Sequence, residues 1–166
     1  YLKLSQGRTN TFLFESVEGG AWRGRYSVIT LAPDLVWRCR GDKAEIAEGE
    51  AIAAGRYTPQ AGGALDSLRD LLAASRIDLP KGLPPMAGGV FGSLGYDTVR
   101  LVERLPNINP DPLGLPDAIM TRPSVVAIFD SIAQEIILVT SVRPGGRAAA
   151  DAYAAAEARL DAVCAD

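Results

Sequence analysis

The sequence predicts an α+β fold in which antiparallel β-sheets pack face to face with helices on the outside, and three observations carry that expectation. Two pairs of strand-like runs near the start are each divided by a polar turn containing glycine. Three Val- and Ile-rich segments recur between residues 117 and 142, and residues 64–76 and 147–166 have helical character. The 166 residues are assigned to one domain, long enough to bury about two thirds of the unfolded surface.

In chain order, residues 11–14 and 26–31 read as strands, and Gly19, Gly20 and Gly24 between them permit positive φ for a reversal that draws Glu15, Ser16 and Arg25 together. Such a trio could hold an amino-acid zwitterion: Glu15 facing the ammonium, the Arg25 fork facing the carboxylate, and Ser16 donating and accepting. From composition alone an ordinary surface hairpin fits better, since an exposed ion pair is worth roughly 0–1 kcal/mol. Trp22 lies among the turn glycines without a clear assignment.

Residues 34–47 split around Gly41-Asp42 into a β-hairpin, with Trp37 and Cys39 read as core. Residues 48–63 lose periodicity and read as a surface connection. Leu65, Leu68, Leu71 and Leu72 recur at helical spacing over 64–76. The glycines of 88–95 lack the Lys-Ser or Lys-Thr pair of a phosphate-binding loop and suit a strand closely approached by another backbone. Residues 97–105 read as a helix with Val99, Val102 and Leu101 or Leu105 inward. Residues 106–116 carry four prolines and must cross the surface without regular structure. Residues 117–120, 124–130 and 135–142 suit central strands, the last two joined by a turn at 131–134. Gly145-Gly146 precedes an alanine-rich helix carrying Tyr153, Leu160 and Val163.

Composition excludes several functions. A net charge of −3 with interspersed signs gives no basic stripe, so nucleic acid is not an expected partner. No apolar run is long enough for a membrane span and no signal-peptide core opens the chain, so no membrane association is expected. Two cysteines without metal-ligand spacing fit a cytoplasmic setting. Histidine is absent, which removes Ser-His, Cys-His and His-metal chemistry and leaves carboxylates or Lys for any acid–base step.

The run FLFESVEGGAWRGRYSVITLAPD, with PPMAGGVFGSLGYDTVRLVERLP and DAIMTRPSVVAIFD after it, resembles the amino-terminal domain of anthranilate synthase component I along nearly the whole chain. The resemblance implies an α+β regulatory domain that helps bind the feedback inhibitor L-tryptophan through Glu15, Ser16, Arg25 and Tyr26. It implies no catalytic residue and no cofactor on this chain. Conversion of chorismate and ammonia to anthranilate and pyruvate would lie on a carboxy-terminal chorismate-binding domain with Mg2+, ammonia coming from a glutamine amidotransferase subunit. The family completes the inhibitor pocket with a Pro-Tyr-Met segment of that catalytic domain, which this sequence lacks, so the chain alone is expected to bind tryptophan weakly or not at all. The missing initiating Met suggests an excised piece. Phe14, Thr30 and Ser93 depart from the family's usual Leu, Gly and Tyr, and a β-branched Thr30 would be strained at positive φ. Two alternatives stay open: the corresponding domain of aminodeoxychorismate synthase, and a free-standing amino-acid-binding module.

Overall fold

The computed structural model describes residues 1–17, 23–107, 109–143 and 145–165. Its strands are β1 (Phe12–Val17), β2 (Arg23–Arg40), β3 (Lys43–Glu48), β4 (Thr58–Pro59), β5 (Phe91–Leu94), β6 (Ala118–Asp130) and β7 (Glu135–Thr140). Its α-helices are α1 (Leu2–Ser5), α2 (Glu50–Ala53), α3 (Ala64–Ala74) and α4 (Ala149–Ala165), with 3-10 turns at Pro85–Ala87 and Tyr96–Leu101. The α+β class and the antiparallel pairing are as expected. Where the sequence suggests more than one sheet, hydrogen bonding joins all seven strands into one: β4-β3-β2-β6-β5, with β1 on β2 and β7 on β6.

The chain divides into two compact units, residues 1–33, 77–88 and 123–166 in the first and 34–76 and 89–122 in the second. In the first, Ile29 and Leu31 of β2, Val125 and Ala127 of β6 and Val163 of α4 form the core, with Leu4, Phe129, Leu138 and Leu160 packed against it. Residues 28–31 of β2 and 125–128 of β6 are buried consecutively, on both faces, because these strands are central rather than edge strands. α4 turns Ala152, Ala156 and Val163 inward, while Tyr153 is exposed. Small residues on the buried face let the helix backbone come close, which is why so weakly amphipathic a segment still docks.

In the second unit Leu35, Trp37, Cys39, Ala44, Ala64, Leu71 and Ala118 form the core. Trp37 is 1% exposed and its Nε1 donates to Ser67 Oγ at 3.0 Å, so the indole is core, as read from its alternating strand. The β2–β3 turn at Gly41-Asp42 joins Arg40 to Lys43, and its positive φ at Gly41 fits a two-residue hairpin. Arg38 bonds Glu45 across this pair at 2.5 Å and stacks 3.5 Å from the Tyr57 ring. β5 needs its glycine: a Cβ on Gly92 would overlap the Ile119 carbonyl oxygen, as expected for a strand closely approached by another backbone.

Several expectations are corrected. α3 buries Ala64, Ser67 and Leu71, and Leu72, expected inward, is 47% exposed; the inward stripe lies one position toward the amino terminus. The 3-10 turn Tyr96–Leu101 stands in place of the helix expected over 97–105, leaving Val102 69% exposed. The chain is drawn off there because Arg100 bonds Asp97 at 2.7 Å and the carbonyls of Leu105 and Asn107, closing a loop. The runs at 117–120 and 124–130 are one strand; Pro123 falls between the segment paired with β5 and that paired with β7, so no donor to either is lost. Arg122 on this strand bonds Asp34 at 2.6 Å. The connection at 48–63 contains α2 and β4, and α1 has no counterpart in the sequence reading.

Candidate functional site

The four residues expected to hold tryptophan fall within one stretch of the β1–β2 ladder. Phe12, Leu13, Phe14 and Glu15 pair with Thr30, Ile29, Val28 and Ser27, the register shifts, and Val17 then pairs with Arg23. Glu15 is exposed and directly opposite Ser27. Ser16 is exposed and lies over Gly24, where a Cβ would overlap the Ser16 carbonyl oxygen, Cβ and Oγ. Gly24 is therefore needed for close approach; it is not at positive φ, which corrects the turn role expected of it. Gly19, Gly20 and Trp22 lie outside the described residues.

Arg25 makes a forked pair that sequence reasoning missed. Its Nε donates to Oδ1 and Oδ2 of Asp130 at 3.1 and 3.0 Å, and its Nη2 donates to Oδ2 at 2.7 Å. The guanidinium also lies 4.8 Å from the centroid of Tyr26, so these two expected ligands touch. Asp130 is 4% exposed and also accepts from the backbone N–H groups of Ile132 and Ala133, each at 3.0 Å. Ser131 completes the junction, its N–H and Oγ donating to the Arg25 carbonyl at 2.9 and 3.0 Å. The Arg25 hydrogen bond, then the Ala133 N–H, holds the Asp130 carboxyl down at about 2. The Asp130 bond likewise raises the Arg25 guanidinium above its ordinary value. A carboxylate closing an apolar strand run was the available signal, since such a group must find a cation; which arginine it finds is settled only by the pairing of distant strands.

Asp130 occupies the Nε/Nη2 edge of the guanidinium, and the side chain remains 49% exposed, so its terminal edge can still donate to an incoming carboxylate. Glu15 supplies an exposed anion on the neighbouring strand.

A second concavity, of about 570 Å³, lies within the second unit and includes Asp42, Tyr96, Arg100, Asp111 and Asp117 in its lining, but none of the four expected ligands. Its carboxylates serve the fold: Asp42 accepts from Ala64 N–H at 2.7 Å, Asp117 from Gly41 N–H at 2.5 Å, and Asp111 from Gly114 N–H at 2.9 Å. Among the described residues no group of three His, Cys, Asp or Glu could hold a metal ion.

No family model matches the chain. It is 51% identical to anthranilate synthase component 1 of Cereibacter sphaeroides over 98% of its length and 33% of that protein's. It is 34% identical to the component 1 of Pseudomonas putida over 98% of its length and 32% of the relative's. With that of Thermus thermophilus identity is 37% over 86% of the chain and 29% of the relative. The fold is shared with the crystal structure of anthranilate synthase component I from Streptococcus pneumoniae TIGR4, with a TM-score of 0.61 and 18% identity over 89% of this chain and 31% of that one. The matched region is the amino-terminal part of these relatives, and the chain spans about a third of their length. Over that third, the chain matches the amino-terminal part of anthranilate synthase component 1.

Proposed function

We propose that the chain is the amino-terminal regulatory domain of an anthranilate synthase and binds L-tryptophan as feedback inhibitor. The observation that carries this reading is the 51% identity with a component 1 over 98% of the chain. Glu15 receives the ammonium of the inhibitor, the terminal edge of Arg25 its carboxylate, and Ser16 and Tyr26 complete the polar wall. Chorismate chemistry and its Mg2+ belong to a carboxy-terminal chorismate-binding domain, with ammonia delivered by a glutamine amidotransferase subunit. That domain also closes the inhibitor pocket. Tryptophan inhibits by binding an inactive arrangement of the enzyme more tightly than the active one, as any ligand that shifts an equilibrium must. The setting is cytoplasmic; no helix among the described residues is long and apolar enough to cross a membrane.

Calorimetric titration with L-tryptophan tests this, using the chain alone and mixed with a separately expressed catalytic domain. Heat is expected only in the mixture, and Ser16→Ala should abolish it. Inhibition left unchanged by both Ser16→Ala and Glu15→Gln in the full-length enzyme would show that the inhibitor sits elsewhere.

A further inference from the structure

Resting on that reading, we propose that Asp130 is a positioning residue of the tryptophan site: it fixes the Arg25 guanidinium so that its terminal edge meets the inhibitor carboxylate. An unassisted arginine on an open strand is poorly ordered. Its long side chain samples many rotamers, and ordering it upon ligand binding weakens that binding. Here the ordering precedes the ligand. Asp130 is itself immobilised by burial and by the N–H groups of Ile132 and Ala133, and it presents both oxygens to Nε and Nη2 of Arg25. Three donors on Oδ1 and two on Oδ2 leave the carboxylate saturated, so it has no reason to leave the guanidinium for a ligand ammonium. Ser131 anchors the Arg25 carbonyl to the same turn, so backbone and side chain of Arg25 are fixed from one element. A guanidinium has two edges suited to bidentate contact, and Asp130 takes the one that leaves the exposed end free.

The test is tryptophan inhibition of the full-length enzyme carrying Asp130→Asn, Arg25→Ala, or both, with melting temperature recorded for each. Asp130→Asn should raise the half-inhibitory tryptophan concentration roughly tenfold, the scale of one charge-assisted hydrogen bond. Added to Arg25→Ala it should raise that concentration no further, because it acts only through Arg25. Asp66→Asn, at an exposed pair with Arg69, should leave the curve at wild type. A lowered melting temperature with unchanged half-inhibition would reduce Asp130 to a clip on the turn and overturn the proposal. Tighter inhibition would overturn it by showing that Asp130 competes with the ligand. In either case a strong Ser16→Ala effect would leave the parent reading intact, whereas a wild-type enzyme indifferent to tryptophan overturns both. Should Asp130→Asn fail to fold, Arg25→Lys poses the same question, keeping the charge but losing the fork; unchanged inhibition there overturns the proposal as well.

Discussion

Thr30 and Ala32 show how single residues on β2 carry costs that the sequence locates only approximately. A β-branched Thr30 would be strained at positive φ, yet the positive φ falls two residues later, at Ala32 with φ 47°. The cost at Thr30 is of another kind: its hydroxyl is fully buried and has no hydrogen-bond partner among the described atoms. Thr30→Val is therefore expected to stabilise by about 1 kcal/mol, by removing an unpaired polar atom without changing side-chain shape. A midpoint shift to lower denaturant would contradict this. At Ala32 the left-handed conformation costs roughly 1–2 kcal/mol, against about 0.5–1 kcal/mol of extra unfolded-chain entropy for glycine. Ala32→Gly should then gain about 0.5 kcal/mol, and a clear loss in chemical denaturation would show that Ala32 is not strained. Neither effect was legible in the residue types alone, because both depend on which neighbours the two long strands bring against β2.

At the scale of elements, the β6–β7 hairpin is where reading the sequence succeeded and then stopped. Its Val and Ile runs and the four-residue turn follow from period and turn chemistry. The junction from Asp130 to Arg25 joins residues 105 apart and follows only from the strand order. The same limit applied to residues 97–105, whose helical spacing was real but was overruled by Arg100 bonding back to the loop. The hairpin makes a pH prediction. Asp130, at about 2 in the fold against an ordinary 3.8, binds its proton more readily in the unfolded chain, so its contribution is complete above about pH 4 and is lost as pH falls toward 2. Asp130→Asn lacks that contribution at every pH. The gap in denaturant midpoint between wild type and variant should accordingly narrow from about pH 4 to pH 2. A constant gap would mean that the carboxylate is not held by Arg25 in solution.

Over the whole molecule, the likeness to anthranilate synthase component 1 and the α+β class were legible, since long motif matches and apolar periodicity survive without tertiary detail. The division into two units was not, because β2 and β6 each contribute residues to both. The cysteines give a direct test of the whole fold. Cys39 is buried in the second unit's core and burial pushes its thiol up, whereas Cys164 is exposed on α4. A thiol reagent should titrate one cysteine in the native protein and two in denaturant; fast reaction of both in the native state would refute the core. The ion pairs described here, at Arg25, Arg38, Arg69, Arg100 and Arg122, are all made by arginine. Lys3, Lys43 and Lys81, the chain's lysines, take part in none of them. Amine-directed acylation or surface immobilisation would thus make the protein more anionic while leaving every one of these junctions closed, and dicarbonyl reagents aimed at guanidinium groups would open them.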